Sequence, residues 1–242
     1  MQSLRIGTWN LDHARGAKHD QARLEVLAEA DADIWVLTET NDRLALPGYT
    51  AVHSAPRPAS LPGGRWVSIW TRAPLMQAVQ TADRNRSTAA LVSTAIGQVL
   101  VFGTVLPWHA DVGEPPRDPL PRAWQEHYRV LKEQAREWAQ LRESYPDAML
   151  CVAGDLNMSL GGPRFYGTRQ GRELLQRAMA GAGLDCATSF DRIPAGLLQH
   201  PCIDHVLLPA EFAGASRVVC AWEGQVAGGL KLSDHSGLAV EL

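Results

Sequence analysis

The sequence has no excess of positive charge: 23 lysines and arginines against 26 aspartates and glutamates leave 242 residues with a formal net charge of −3. That excludes the bulk basic field with which non-specific nucleic-acid binders hold a polyanion. Any polyanion partner must be held locally, with a metal helping to offset repulsion. Cysteine is scarce and unpatterned. Cys151, Cys186, Cys202 and Cys220 form no CxxC pair and no zinc-ligand spacing. Cys151 and Cys220 lie in apolar runs and are expected to behave as small core residues, and the set of four is expected to be reduced. No stretch approaches the roughly 20 apolar residues of a membrane span. Near Met1, Arg5 and then Asp12-His13 interrupt any apolar run of signal-peptide type. A cytoplasmic location is therefore expected. Internal repeats, low-complexity tracts and linkers are also missing, so residues 1–242 are expected to form one domain.

What is present is a chain that is 45% hydrophobic and 20% charged, enough to bury a sizeable core. Its central stretch is Met149 to Asn157, Met-Leu-Cys-Val-Ala-Gly-Asp-Leu-Asn. The uncharged run Met149–Ala153 predicts a buried strand that ends at Gly154, where a turn delivers Asp155 and Asn157 side by side. Earlier, Leu4 to Asn10 predicts a strand, and Ala22, Val26, Leu27 and Ala30 have helical spacing from Asp20 onward. Ile34 to Thr38 follows as a second strand ending at Glu39.

From residue 47 to 106, Pro and Gly punctuate short β-type runs, the pattern of an antiparallel meander. Asp111 to Pro121 holds four prolines and is expected to be an extended loop. A long helix is expected from about Arg122 to Ser144, with Trp124, Tyr128, Leu131, Ala135, Trp138 and Leu141 on one stripe. A third helix is expected over Gly171 to Ala182, and strands near Ile203 to Leu208, Arg217 to Trp222 and Gly237 to Leu242 complete the chain.

Polar residues recur where the apolar runs stop: Asn10 and Asp12, Glu39, His109 and Asp111, Asp155 and Asn157, Asp204, then Asp234 and His235. Loops converge at the carboxyl ends of strands in α/β sheets without disturbing the core, so ligand sites favour that rim. Any one of these residues alone is an ordinary turn or loop residue. Their recurrence within one chain is what points to a site.

In order, Thr8-Trp9-Asn10, Leu37-Thr38-Glu39, Gly154-Asp155-Leu156-Asn157, Ile203-Asp204-His205-Val206 and Ser233-Asp234-His235 resemble the motifs of the endonuclease/exonuclease/phosphatase superfamily, the DNase-I-like fold. The resemblance implies a four-layer α/β sandwich: two mixed, mostly antiparallel sheets face to face with helices outside. It also implies hydrolysis of phosphoester bonds by an activated water with Mg²⁺, for which Mn²⁺ is a plausible substitute. By the family's pattern Glu39 is the main metal ligand, with Asn10 and Asp234 nearby and Asp12 a further contributor.

Asp155 matches the residue that orients or deprotonates the water. Asn157 would bond a phosphoryl oxygen or the nucleophile without adding charge. His235 would donate to the phosphate, with Asp204 fixing its tautomer. His109 matches a histidine able to protonate the leaving group, and the segment Pro107–Asp111 argues against the apurinic-endonuclease branch. Arg86, with Ser87, is a candidate phosphate contact. His205 should point away from Asp204's face.

Nuclease, small-molecule phosphodiesterase and lipid or inositol phosphatase all stay open. A nuclease would want a basic, aromatic rim, for which Arg15, Lys18, Arg43, Arg57, Arg65 and Trp108 are available. A dinuclear metallophosphoesterase would need Gly-Asn-His-Asp/Glu and Gly-His-x-His, and neither occurs. The non-enzyme alternative is a dead scaffold using the same rim to bind protein. A monomer without an obligate protein partner is expected.

Overall fold

The structure, a computed structural model, describes residues 3–14, 19–58, 61–224 and 229–242. In chain order it runs β1 (Arg5–Asn10), α1 (Asp20–Ala30), β2 (Ile34–Asn41), β3 (Thr50–His53), β4 (Gly64–Thr71), β5 (Leu75–Val79), β6 (Ser87–Thr94), β7 (Gly97–Val105) and α2 (Gln125–Ser144). It continues with β8 (Met149–Asp155), α3 (Arg169–Gly181), β9 (Leu184–Cys186), β10 (Asp204–Pro209), α4 (Ala210–Ala215), β11 (Arg217–Trp222) and β12 (Gly237–Glu241). Two six-stranded mixed sheets result, in the orders β11-β12-β1-β2-β4-β3 and β5-β6-β7-β8-β10-β9. Each contains one parallel pair, β1 with β2 and β7 with β8, flanked by antiparallel strands. The α/β sandwich expected from the motifs is the architecture observed.

The layers follow from alternation along the strands. Ile6, Val36, Val67 and Ile69 of the first sheet meet Val101, Ala153 and Val206 of the second in one buried cluster. Each of the valines and isoleucines contributes about 1.5–3 kcal/mol by leaving water. The sheets come so close at Gly103 that a β-carbon there would lie 2.7 Å from Val67. On the far side of the first sheet, Trp9, Trp35 and Leu37 pack with Leu27 and Ala30 of α1. On the far side of the second, Leu100, Phe102 and Val152 pack under Leu131 and Trp138 of α2 and Leu175 of α3. No helix among the described residues is long and apolar enough to cross a membrane.

Three expectations need correction. The strand through Met149 does not stop at Gly154 but continues to Asp155, pairing with Val105 on one side and Asp204 on the other. Gly154 (φ 131°) is there because a β-carbon would lie 2.0 Å from the Thr104 carbonyl oxygen, so close strand approach, not a turn, requires glycine. Likewise β2 runs past Glu39 to Asn41; Glu39, at φ 50°, is skipped between the pairs Thr38–Val67 and Thr40–Arg65. The short elements β9 and α4 were not expected, since three apolar-flanked residues and a six-residue helix are too brief to show periodicity.

The stripe of α2 is also wider than its hydrophobic residues suggest, because Glu126, His127 and Gln134 are buried with it, while Trp124, Tyr128 and Ala135 are only half-buried. His127 lies wholly inside, with Nδ1 2.7 Å from the Pro107 carbonyl oxygen. Burial pushes its pKa down from 6.5 to about 4 against that hydrogen bond. In the window between those values the unfolded chain takes up a proton that the folded chain refuses, so stability falls as pH drops. The loss attributable to this residue reaches about 3 kcal/mol at the acid end. Urea unfolding of His127→Asn across that window should show a flatter pH dependence than the parent; parallel curves would remove His127 as the cause.

Candidate active site

The carboxyl ends of β1, β2, β7 and β8 and the start of β10 converge on one open cleft of about 540 Å³. Asn10, the last residue of β1, ties the two sheets together there. Its Nδ2 donates to Glu39 Oε1 at 3.2 Å and to Asp155 Oδ2 at 3.1 Å, and its Oδ1 accepts from the Asp12 amide at 2.9 Å. Asp155 is held from two more directions, by the Asn157 amide at 2.8 Å and Asn157 Nδ2 at 3.0 Å. Burial raises the Asp155 pKa; the charge of His235 opposes this, and those of Asp204 and Glu39 reinforce it. A carboxyl lifted in this way is a better base near neutrality than an exposed one.

On the neighbouring strand, Asp204 is paired with Asp155 in the β8–β10 ladder, and its Oδ2 lies 2.6 Å from His235 Nδ1. Burial disfavours the His235 imidazolium, but the neighbouring Asp204 and Asp155 charges outweigh it and raise its pKa. The turn carrying His235 is pinned to β1: Ser233 Oγ donates to the Asn10 carbonyl at 2.6 Å, and Trp9 Nε1 donates to the His235 carbonyl at 3.1 Å. Asp234 is largely exposed on the rim, 3.9 Å from His235 Nε2. Asp155, Asp204 and His235 thus bring three ligand-type atoms within 4.8 Å of one another, and Asp12, His13 and Glu39 form a second such group.

That second group suits a divalent cation. Asp12 and Glu39 offer hard carboxylate oxygens at an open cleft, as magnesium-type sites require. Burial works against ionisation of Glu39, but the hydrogen bond and charge of His13, with the Asn10 amide, hold its pKa below the ordinary value.

Several residues fall elsewhere than the sequence suggests. Both Nδ2 hydrogens of Asn157 are engaged, by Asp155 and by the Leu106 carbonyl at 2.9 Å, so its amide cannot donate to a phosphoryl oxygen. It bonds Asp155 through both its backbone and its side-chain N–H groups. Arg86 lines the cleft but is buried, with Nη2 2.6 Å from Asp111 Oδ2, which neutralises much of its charge; Ser87 bonds the Asp83 carbonyl away from the cleft. His109 is turned out by the bend from Trp108 to Asp111 and is exposed, with Nδ1 3.3 Å from Tyr166 Oη. The cleft is lined there by Trp108 and Tyr166 instead. His205 points inward, with Nε2 3.0 Å from the Met158 carbonyl oxygen, as alternation predicts.

Of the proposed rim, Arg57 and Trp108 line the cleft. Arg43 reaches Asp20, Arg65 reaches Asp42, and Arg15 and Lys18 lie outside the described residues. His13, Trp66, Phe165 and Tyr166 are cleft residues that no motif announced. For His13 the only available signal was adjacency to Asp12; the aromatics come from β4 and from the loop between β8 and α3.

Comparison with solved structures gives the same architecture. A 3′-5′ exonuclease from Neisseria meningitidis superposes with a TM-score of 0.67 at 18% identity, covering 98% of each chain. An AP endonuclease from Archaeoglobus fulgidus gives 0.65 at 17%, again over 98% of both chains. An AP endonuclease from Leishmania major gives 0.66 at 16%, over all of this chain and 88% of that one. At these identities the likeness carries the fold. No curated protein sequence matches. The profile of the endonuclease/exonuclease/phosphatase family matches residues 7–235, and the chain belongs to that family.

Proposed function

We propose that this protein is a divalent-metal-dependent phosphoesterase that hydrolyses phosphoester bonds in nucleic acid by in-line attack of water. The observation that carries the reading is the meeting, at one cleft, of the Asn10–Glu39–Asp155–Asn157 hydrogen-bond network with the adjacent Asp204–His235 dyad. Keeping three carboxylates buried or half-buried around a common space is costly for a protein that makes no use of them, which weighs against an inactive scaffold.

In this mechanism Asp155 accepts the proton of the attacking water, held in the required orientation by Asn10 and Asn157. His235, protonated and aligned through Nδ1 by Asp204, presents Nε2 to a non-bridging phosphoryl oxygen. Glu39, with Asp12 and Asp234 on the same rim, would hold Mg²⁺ or Mn²⁺. A bound divalent ion supplies charge neutralisation at the phosphoryl group and the departing alkoxide.

A nucleic-acid substrate is favoured by the lining of the cleft. It includes Trp108 and Phe165, both about half exposed, and Tyr166. It also includes Arg57, whose guanidinium lies 3.6 Å over the Trp66 ring. Aromatic faces stack on bases at about 1–3 kcal/mol each, and a local cation serves the phosphate where the chain as a whole is acidic. A structural neighbour, the Neisseria 3′ phosphatase, was solved bound to a product DNA hairpin. We also take the protein to be a cytoplasmic monomer; the four cysteines are free thiols, in keeping with a reducing compartment.

The test is a panel of plasmid DNA, single-stranded DNA, RNA, bis-p-nitrophenyl phosphate, inositol phosphates and sphingomyelin, each with Mg²⁺ or Mn²⁺. Hydrolysis of a nucleic-acid member that stops on chelation is the expected result. Activity confined to the lipid or inositol members would overturn the substrate class, and activity indifferent to chelator would overturn the metal.

A further inference from the structure

We propose that His13 completes the metal site beside Glu39 and Asp12 as a nitrogen ligand, biasing the cleft toward cations that accept imidazole, Mn²⁺ and the later transition ions, over Mg²⁺. The inference rests on the metal-dependent reading above and concerns which ion this chain selects.

The first support is distance. His13 Nδ1 lies 2.7 Å from Glu39 Oε2, and one ligand atom from each of Asp12, His13 and Glu39 falls within a common 4.8 Å. Nitrogen and oxygen ligands at about 2.0–2.2 Å from one ion sit roughly 3 Å apart when adjacent, so the pair needs little movement to share a cation.

The second is a conflict at a single atom. His13 Nδ1 also lies 2.8 Å from Arg57 Nη1. Arginine only donates and an ionised carboxylate only accepts, whereas a ring nitrogen carries either a proton or a lone pair. With the proton, Nδ1 suits Glu39 and opposes Arg57; with the lone pair, it suits Arg57 and opposes Glu39. A cation between Nδ1 and Glu39 satisfies both and leaves Arg57, stacked on Trp66, available to a substrate phosphate.

The backbone supplies the third. Among the described residues seven non-glycine residues have positive φ, and Asp12 (48°), His13 (60°) and Glu39 (50°) are three of them. L-residues enter this region reluctantly, and such outliers persist where surrounding contacts fix them, as at ligand clamps. Here all three proposed ligands share the outlying conformation, and the His13 ring is further held edge-on to Trp66 at 6.0 Å.

Mg²⁺ is hard, takes oxygen ligands and gives up water reluctantly, whereas an imidazole in the ligand set favours transition ions in the Irving–Williams order. The competing account makes His13 only an ionic partner of Glu39. In that case its removal would change the binding of Mg²⁺ and Mn²⁺ alike, and no nitrogen would touch the ion.

The deciding experiment uses the full chain loaded with Mn²⁺ alone. Pulsed EPR should show coupling of Mn²⁺ to an imidazole nitrogen that disappears in His13→Ala and persists in His235→Ala. Calorimetry should show Mn²⁺ affinity falling roughly tenfold or more in His13→Ala, with a smaller change for Mg²⁺, so the preference ratio drops. His13→Gln provides a second variant should the alanine not fold, and the wild-type nitrogen coupling needs no variant. No nitrogen coupling, coupling that survives loss of His13, or equal weakening for both ions would overturn the proposal while leaving metal dependence intact. Absence of both Mn²⁺ and Mg²⁺ binding would instead overturn the metal-dependent function itself, and binding unaffected by Glu39→Gln would remove Glu39, and with it the proposed site, from the ion.

Discussion

Asp155→Asn should reduce kcat about a thousandfold, within the range expected for losing a positioned general base, with KM changed far less. The substitution keeps the shape of the side chain but removes the basic oxygen on which Asn10 and Asn157 converge. An amide there also turns an NH₂ group toward partners that are themselves donors, so the local network is expected to loosen without disturbing the sandwich. Steady-state kinetics on the panel's best substrate, with circular dichroism to confirm folding, decides the matter. A variant that retains full metal-dependent turnover would remove Asp155 from the chemistry and with it the proposed mechanism. A uniform rise in KM at constant kcat would mean that Asp155 shapes binding, not proton transfer.

The second large effect is expected at the dyad. His235→Ala should cost about 100- to 1,000-fold in kcat, the size of effect seen when a preorganised donor to developing charge is deleted. Asp204→Asn should cost less at acidic and neutral pH and more at alkaline pH, and the difference tests the pairing. Asp204 and Asp155 hold the His235 pKa above its ordinary value against burial, so the imidazolium persists through neutrality. Removing the Asp204 charge lets that proton leave at lower pH, so the alkaline limb of the rate profile should move downward in pH. A profile that keeps its alkaline limb in Asp204→Asn would show that the 2.6 Å contact orients the ring without setting its charge.

These two predictions depend on parts of the molecule with different degrees of legibility in the sequence. The strands under the site were legible because buried β-strands leave compact apolar runs: Ile34–Thr38 and Met149–Ala153 each sit within an observed strand. Their boundaries were less so. Gly154 looks like a turn residue by composition, and only the Thr104 carbonyl 2.0 Å from its missing β-carbon shows that it belongs to the ladder. Short elements such as α4 fall below any period that a sequence can display.

At the site, the ordered motifs place Asn10, Glu39, Asp155, Asp204 and His235 at strand ends, and those residues do meet in one cleft or bond directly to its lining. The same motifs are silent on partners. Whether a polar side chain is free to act depends on what already bonds it, and that is settled by residues far away in the chain. Asn157 spends its amide on Leu106, and Arg86 spends its charge on Asp111. His109 is carried out of the cleft by a local bend, and Tyr166, 57 residues later, lines the wall beside it.

Strands and the polar residues at their ends were legible in the sequence because alternation and strand-end polarity are one-dimensional properties, and the resemblance carried by the ordered motifs implied the sandwich that the two sheets form. Only the tertiary structure decided which donors remain free, that His13 bonds Glu39 and Arg57, and that Trp66, Trp108, Phe165 and Tyr166 line the same cleft as Arg57. Those are relations between segments that touch only after the two sheets have packed, and hydrogen-bond saturation and charge pairing are set by those contacts.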